Sequence, residues 1–361
     1  MYLLRPFLAA LVAAATIATG IAEAAPAKSP AKSSLRCYAA KDRVGCFADL
    51  AEARLRTVTG AVARADALGE WLYTAAVVGR RDPGLVAEAR RLATDEQVPP
   101  LKRMDLHYAI DIYAHAADPA ADEDFAAAIG LFARLDKELG ADDRVALYFG
   151  ACAIIGWEPA LREPWLEFAE SACSPESLVA LEAQGVAAKA LLMAMMPVAM
   201  TLTDDEDGFA RSVAIALSWL DAVEKATRKA PAAEREFVAG MGALIHTLNA
   251  RGFDAFEQDY GTDVEVERAR RILRRMEART GVSGRSADLR REVIELLHET
   301  GRTKEARKML REALQRADAD PRGKTLPAAD QVAFLLQAAR LEFAAQAAAF
   351  GTCGPGADVD V

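Results

Sequence analysis

From about residue 42 onward, apolar residues recur every three or four positions, and short polar or glycine-containing breaks separate the runs. That spacing gathers apolar side chains on one side of a 3.6-residue helix. Phe125, Ala128, Ile129, Phe132 and Leu135 form one such stripe, and Leu161, Trp165, Phe168, Ala169 and Ala172 form another. In a third, Ala306, Met309, Leu310, Ala313, Leu314 and Ala317 share a face, with Lys304, Arg307, Lys308, Arg311 and Glu312 outside it. The punctuation fits: Thr203-Asp-Asp-Glu206 and Thr262-Asp-Val-Glu265 read as capping boxes, while Ser174-Pro175 and Asp118-Pro119 put proline at a first helical position. No segment alternates with the period of two that a half-buried strand requires. The pattern predicts an all-α chain.

Gly79, Ala117 and Gly156 fall at intervals of about 38 residues and close helical hairpins, a period within the range of helix-pair repeats. Later turns near Thr203, Gly252 and Gly301 are less regular. Such hairpins cannot bury their apolar faces alone and must stack. Residues 286–318, with Leu296-Leu297-His-Glu-Thr-Gly301 leading into Ala306, Leu310, Ala313 and Leu314, resemble one tetratricopeptide repeat. Gly301 stands at that family's inter-helix turn, Ala306 and Ala313 at its small packing positions, and Leu310 at its large one. The segment departs from the family at Arg290, where an aromatic is common, at Ile294, where a small residue is usual, and at Asp318, where a proline is expected. The resemblance covers about one repeat. It implies a right-handed superhelical array of antiparallel helix hairpins over residues 42–350, whose concave face binds a protein or peptide partner and performs no catalysis.

Composition adds size and compartment. Of 361 residues, 52% are hydrophobic, enough for a large core, and Ala and Leu dominate them, which favours helix over strand. The first residues follow another pattern. Arg5, an apolar run from Phe7 to Ile21, and then Ala22-Glu23-Ala24 before Ala25-Pro26 have the order of a cleavable signal peptide over residues 1–24. Its apolar part is short for a membrane span. We therefore expect an exported chain, periplasmic or secreted, that starts near Ala25, has no transmembrane segment in its mature form and meets no nucleic acid. Residues 25–41, rich in Pro, Ser, Ala and Lys, read as a flexible leader, and residues 351–361 as a flexible tail.

Five cysteines in an oxidising compartment leave at least one unmatched. Cys37 and Cys46 are close enough, around the start of the first helix, to form a staple. Cys152 and Cys173 would sit ~13 Å apart along a hairpin, beyond disulfide reach, and read as buried thiols. Cys353 is left free or bridges two chains.

Several groupings carry possible chemistry. His107, Asp111 and His115 form an i, i+4, i+8 ladder that could hold Zn²⁺, but no fourth ligand accompanies them, and a polar stripe beside Leu106, Ile110 and Tyr113 explains them as well. Glu295 and His298 have a di-iron spacing that such bundles use twice; here it occurs once, and the pair reads as a solvated face. Met193, Met195, Met196 and Met200, in the apolar stretch 186–202, suit either Cu(I) or the filling of a core helix kinked at Pro197. The acids of Thr203 to Gly208 resemble a calcium loop that fails at Ala214 and suit a helix N-terminus better. No cofactor is expected.

The net charge of −9 hides a basic region between Val264 and Arg316. Arg268, Arg271, Arg275 and Arg279 run down one helix face with Arg270 and Arg274 alongside, and Arg285 follows a Gly281-Val-Ser-Gly284 link. Guanidinium groups beside a helix start could hold an anionic headgroup, a phosphate or an acidic peptide, although Glu267 and Glu277 interleave as ion-pair partners. No Gly-x-Ser-x-Gly, Cys-x-x-Cys or repeated carboxylate-histidine motif occurs, so no catalytic residue is nominated. A scaffold for a protein or peptide partner is the leading reading. The alternatives are a cell-envelope enzyme or accessory domain on a helical superhelix, and a metal-handling protein built on the Met or His clusters.

Overall fold

The computed structural model describes residues 33–116, 123–140, 144–145, 147, 175–183, 185–188, 191, 206–282, 284–320 and 323–351. Among them are twelve α-helices and a 3-10 turn, Ser34–Ala39, with no strand. The helices are α1 Arg43–Leu55, α2 Ala61–Val78, α3 Pro83–Ala93, α4 Pro100–His115, α5 Glu123–Glu138, α6 Pro175–Ala183, α7 Glu206–Thr227, α8 Ala232–Ala255, α9 Asp259–Thr280, α10 Arg285–Glu299, α11 Thr303–Ala319 and α12 Ala328–Gly351.

Local chemistry sets many of these boundaries. Asp42 caps α1 by accepting from the Gly45 amide at 2.8 Å, and Asp82 caps α3 by accepting from the Gly84 and Leu85 amides ahead of Pro83. α2 ends at Gly79 in the left-handed conformation (φ 71°), and the turn between α10 and α11 passes through Gly301 (φ 74°). Pro175 opens α6. The expected stripes face inward: Ala128, Phe132 and Leu135 are buried with Phe125 and Ile129 partly covered, and Ala306, Leu310, Ala313, Leu314 and Ala317 are buried with Met309 beside them. The stripe Leu161 to Ala172, the turns at Ala117 and Gly156, the Asp118-Pro119 start and Thr203 to Asp205 lie outside the described residues.

Three sequence expectations are corrected. Thr262 caps nothing: α9 begins at Asp259, so Thr262 lies inside it and its hydroxyl donates back to the Gln258 carbonyl at 3.4 Å. Glu265 is buried, 2.6 Å from His246 Nδ1 of α8, because the tight reversal through Glu257 (φ 58°) lays α9 directly against α8. Gly252 is likewise no turn. It lies within α8, where a Cβ would stand 1.9 Å from the Phe209 ring of α7, so the glycine permits close helix approach. Finally, the end of the expected leader is folded. Cys37 is fully buried and bonded to Cys46, and Asp318 of α11 accepts from the Ser34 amide (2.9 Å) and from the hydroxyls of Ser33 (2.9 Å) and Ser34 (3.0 Å). Tyr38 packs edge-on to Phe47 with the Arg311 guanidinium over its other side.

Packing follows chain order for most of its length. α1 to α5 contact their neighbours in sequence, as do α7 to α12, with added next-but-one contacts of α2 with α4, α8 with α10 and α10 with α12. An open repeat array would have only such contacts. Here α12 also packs along α1 and α2, so the first and last described helices share a core containing Phe47, Leu55, Leu68, Trp71, Leu72 and Phe334. The same core continues through Ile245, Leu273, Leu297 and Leu310. α12 is buried around its whole circumference from Gln331 to Glu342, and α10 from Leu289 to Leu297. These are the central helices.

Candidate functional site

The outer face of α9 is the first candidate. Val266, Ala269, Leu273 and Met276 recur at helical spacing and are buried, which turns the intervening arginines outward. Most arginines of this region are tied down. Arg268 pairs with Glu265 at 2.5 Å, Arg270 with Glu267 and with Glu305 of α11, and Arg274 lies 3.7 Å from Glu267. Arg290 is buried and forms a two-pronged pair with Glu277 (2.6 and 2.7 Å) while donating to the Met309 carbonyl. That polar bridge across α9, α10 and α11 occupies the position where the tetratricopeptide pattern carries an aromatic. Arg285 leaves the stripe: its guanidinium stacks on Phe237 of α8, 4.2 Å from the ring centroid, and burial lowers its pKa. Arg271, Arg275 and Arg279, one turn apart from each other, are exposed and have no carboxylate partner among the described residues.

The metal candidates are not brought together. His107 Nδ1 lies 3.3 Å from Asp124 Oδ1 of α5, and Asp124 also accepts from Arg90 at 2.7 Å. Burial opposes ionisation of Asp124, but the hydrogen bonds from His107 and Arg90 outweigh it and lower its pKa. The histidine therefore ties α4 to α5. Asp111 is buried in α4, and the His115 side chain lies outside the described residues. Among the described residues no three His, Cys, Asp or Glu side chains converge in a way that could hold a metal ion. Met193, Met195, Met196, Met200, Cys152, Cys173 and Cys353 lie outside the described residues.

A further polar grouping among the described residues was not legible as such in the sequence. Asp288, Arg291, Glu292, Glu295 and Glu299 recur at three- and four-residue spacing on α10, a pattern that reads as a solvated stripe. The structure buries it. Glu295 is 5% exposed, so the expected open face around Glu295 and His298 is corrected: α8 and α12 cover it. Arg291 donates to Glu70 of α2 at 3.0 Å and to Asp288 at 2.7 Å. Arg340 of α12 donates to Thr74 of α2 at 2.8 Å and lies 3.6 Å from Glu70. Arg251 of α8 donates to Glu299 at 2.7 Å and to Glu292 at 3.2 Å. Gln337 of α12 donates to the Arg291 carbonyl at 2.8 Å and to Glu295 at 3.0 Å.

The carboxylates of this seam divide by their partners. Burial disfavours the charge on Glu70, but Arg291 and Arg340 overcome it and lower its pKa. Burial wins at Glu295, pushed up to about 8 with Glu299 adding repulsion, and at Glu292, raised to about 6 despite Arg251. Asp330 rises to about 6 through burial and the nearby Asp288, and Asp105 of α4 to about 7 through burial against Lys102. The seam binds four helices together through charge, from inside the fold. The signal that could have found it is the apolar density between its acids: Leu289, Val293, Ile294, Leu296 and Leu297 leave α10 no solvent side.

Compared with known proteins, the chain matches no family model, no curated protein and no solved structure.

Proposed function

We propose that this chain is an exported helical scaffold that docks an acidic protein or peptide segment on the outer face of α9, acting by binding. The observation that carries the reading is the triplet Arg271, Arg275 and Arg279: three exposed guanidinium groups, without a carboxylate partner among the described residues, on a helix whose other arginines are paired. Uncompensated like charges at one-turn spacing repel one another, and an acidic partner relieves that repulsion. In this reading the hairpins form a tetratricopeptide-like, right-handed superhelical array. Its support is the helix-to-next-helix packing and the Gly301 turn with Ala306, Leu310 and Ala313 inside it.

The Cys37–Cys46 bond supports an oxidising compartment outside the cytosol. No described helix is long and apolar enough to cross a membrane. N-terminal sequencing of protein recovered from the cell envelope tests export: a start near Ala25 supports it, and an intact Met1 in every fraction refutes it. An enzyme reading would call for a carboxylate of raised pKa lining a groove. Five described carboxylates have a raised pKa: Glu292 and Glu295 are buried, and Asp105, Asp288 and Asp330 are partly buried.

The docking test uses a fluorescein-labelled peptide of alternating Glu and Asp against a neutral peptide of equal length. Wild type should bind the acidic peptide alone, and less tightly as salt rises. Arg271→Glu with Arg275→Glu should lose that binding and its salt dependence while keeping the helical content of wild type. Equal binding by both proteins at every salt concentration refutes the α9 face as the docking surface.

A further inference from the structure

The seam between α10 and α12 contains more carboxylate than the cations beside it can neutralise. Glu292, Glu295 and Glu299 lie on one face of α10, and the one guanidinium within hydrogen-bond distance of them, Arg251, serves Glu292 and Glu299. Glu295 has no ion pair among the described residues and accepts from the neutral amide of Gln337 instead. Two acceptor atoms at the same place are buried without a donor: Oε1 of Glu299, whose side chain is 8% exposed, and Oε1 of Gln337, fully buried. Leaving a buried acceptor without a donor is costly, so the face around Glu295 is short of a hydrogen.

We propose that Glu295 holds a proton at neutral pH and that this proton locks α12 onto α10, making the closure of the helical array pH-dependent. A protonated Glu295 presents an O–H one helical turn from the orphaned Glu299 oxygen and beside the Gln337 amide. It also removes one of three like charges from a face where, among the described residues, Arg251 is the one guanidinium hydrogen-bonded to them. The nearest other guanidinium groups make their hydrogen bonds elsewhere. Arg340 of α12 is committed to Thr74 and Glu70 of α2, and Arg291 to Glu70 and Asp288. The carboxylates that α9 and α11 direct at α10, Glu277 and Glu312, are engaged with Arg290 on a different side of the helix. The electrostatics agree: burial raises Glu295, Glu299 raises it further, and Arg340 and Arg251 only partly oppose them.

The consequence is directional. Gln337 and Arg340 hold α12 to α10 and α2 from the same stretch of helix, and α12 in turn carries the packing against α1. Loss of the Glu295 proton as pH rises through about 8 places a third negative charge against Glu292 and Glu299, and the α12 contact loosens first.

Two measurements on the full chain test this. Infrared difference spectra between about pH 6 and about pH 9.5 should show the carbonyl stretch of buried protonated carboxyl groups disappearing in wild type; in Glu295→Gln the part lost above about pH 7.5 should be missing, leaving the lower-pH loss from Asp105, Glu292 and Asp330. Hydrogen-exchange protection of α12 amides, corrected for intrinsic rates, should fall about tenfold over that range in wild type and clearly less in Glu295→Gln. An equal carbonyl loss above about pH 7.5 in wild type and Glu295→Gln overturns the assignment. So does an equal loss of α12 protection in both proteins. If Glu295→Gln does not fold, the infrared spectra of wild type still decide: no carbonyl loss above about pH 7.5 refutes the proposal.

Discussion

Arg291 of α10 donates to Glu70 of α2 across 3.0 Å, joining residues 221 positions apart in the chain, with both side chains nearly buried. The pair fixes the C-terminal half of the molecule to its N-terminal half at one point. Removing Glu70 leaves Arg291 with Asp288 alone and takes the carboxylate from buried Arg340 as well, a loss of compensation that costs about 3–5 kcal/mol. Glu70→Leu should therefore lower the urea midpoint by several kcal/mol equivalent. Glu70→Leu combined with Arg291→Met should recover much of the loss, and additive effects in the double variant would show that the two side chains act separately.

The seam predicts an unusual pH profile. Glu295, Asp105, Glu292 and Asp330 have folded pKa values of about 8, about 7, about 6 and about 6, above their ordinary values. A raised folded pKa means that the folded state binds the extra proton, so the stabilisation is complete below the unfolded value and is lost as pH rises through the folded one. Glu70, Asp124, Glu265 and Asp320 are shifted the other way, Asp320 to about 2, and stabilise only above their unfolded values. Stability should peak near about pH 5 and decline toward about pH 9. Urea titrations at a series of pH values measure it; a curve flat from about pH 5 to about pH 8 contradicts the burial of these acids.

Gly252 offers a steric test. In an exposed helix, Gly→Ala gains about 0.5–1 kcal/mol. At Gly252 the new methyl would meet Phe209 at 1.9 Å, so Gly252→Ala should instead cost about 1–3 kcal/mol. The Phe209→Ala background should remove that penalty, and thermal unfolding of the four proteins gives the coupling. Equal penalties with and without the ring would place the strain elsewhere.

The stapled N-terminal turn makes a local prediction. Cys37 and Cys46 close a short loop, and a double Ala variant should lose about 2–3 kcal/mol by the loop-entropy argument. Asp318→Asn leaves the disulfide intact but weakens the acceptor that holds Ser33 and Ser34. Protease should then cut near residues 33–41 faster than in wild type, with the rest of the chain intact. Unchanged cleavage would show that the disulfide alone holds the segment.

What the sequence by itself determined was local. The stripe on α11, the left-handed glycines at Gly79 and Gly301 and the helical class follow from spacing, because an apolar face and a turn residue act through neighbours within a turn or two. The nearness of Cys37 and Cys46 is of the same kind. The tertiary structure decided what covers each remaining face. Gly252 reads as punctuation until Phe209 arrives from another helix, and Thr262 reads as a cap until α8 sets where α9 begins. The charged residues of α10 look solvated because periodicity reports only which residues share a face, and a polar face is identical in sequence whether water or a glutamate 221 residues away lies against it. The return of α12 onto α1 and α2 made that difference. By covering the polar side of α10, it turned an ordinary charged stripe into a buried seam whose protonation the surrounding helices control.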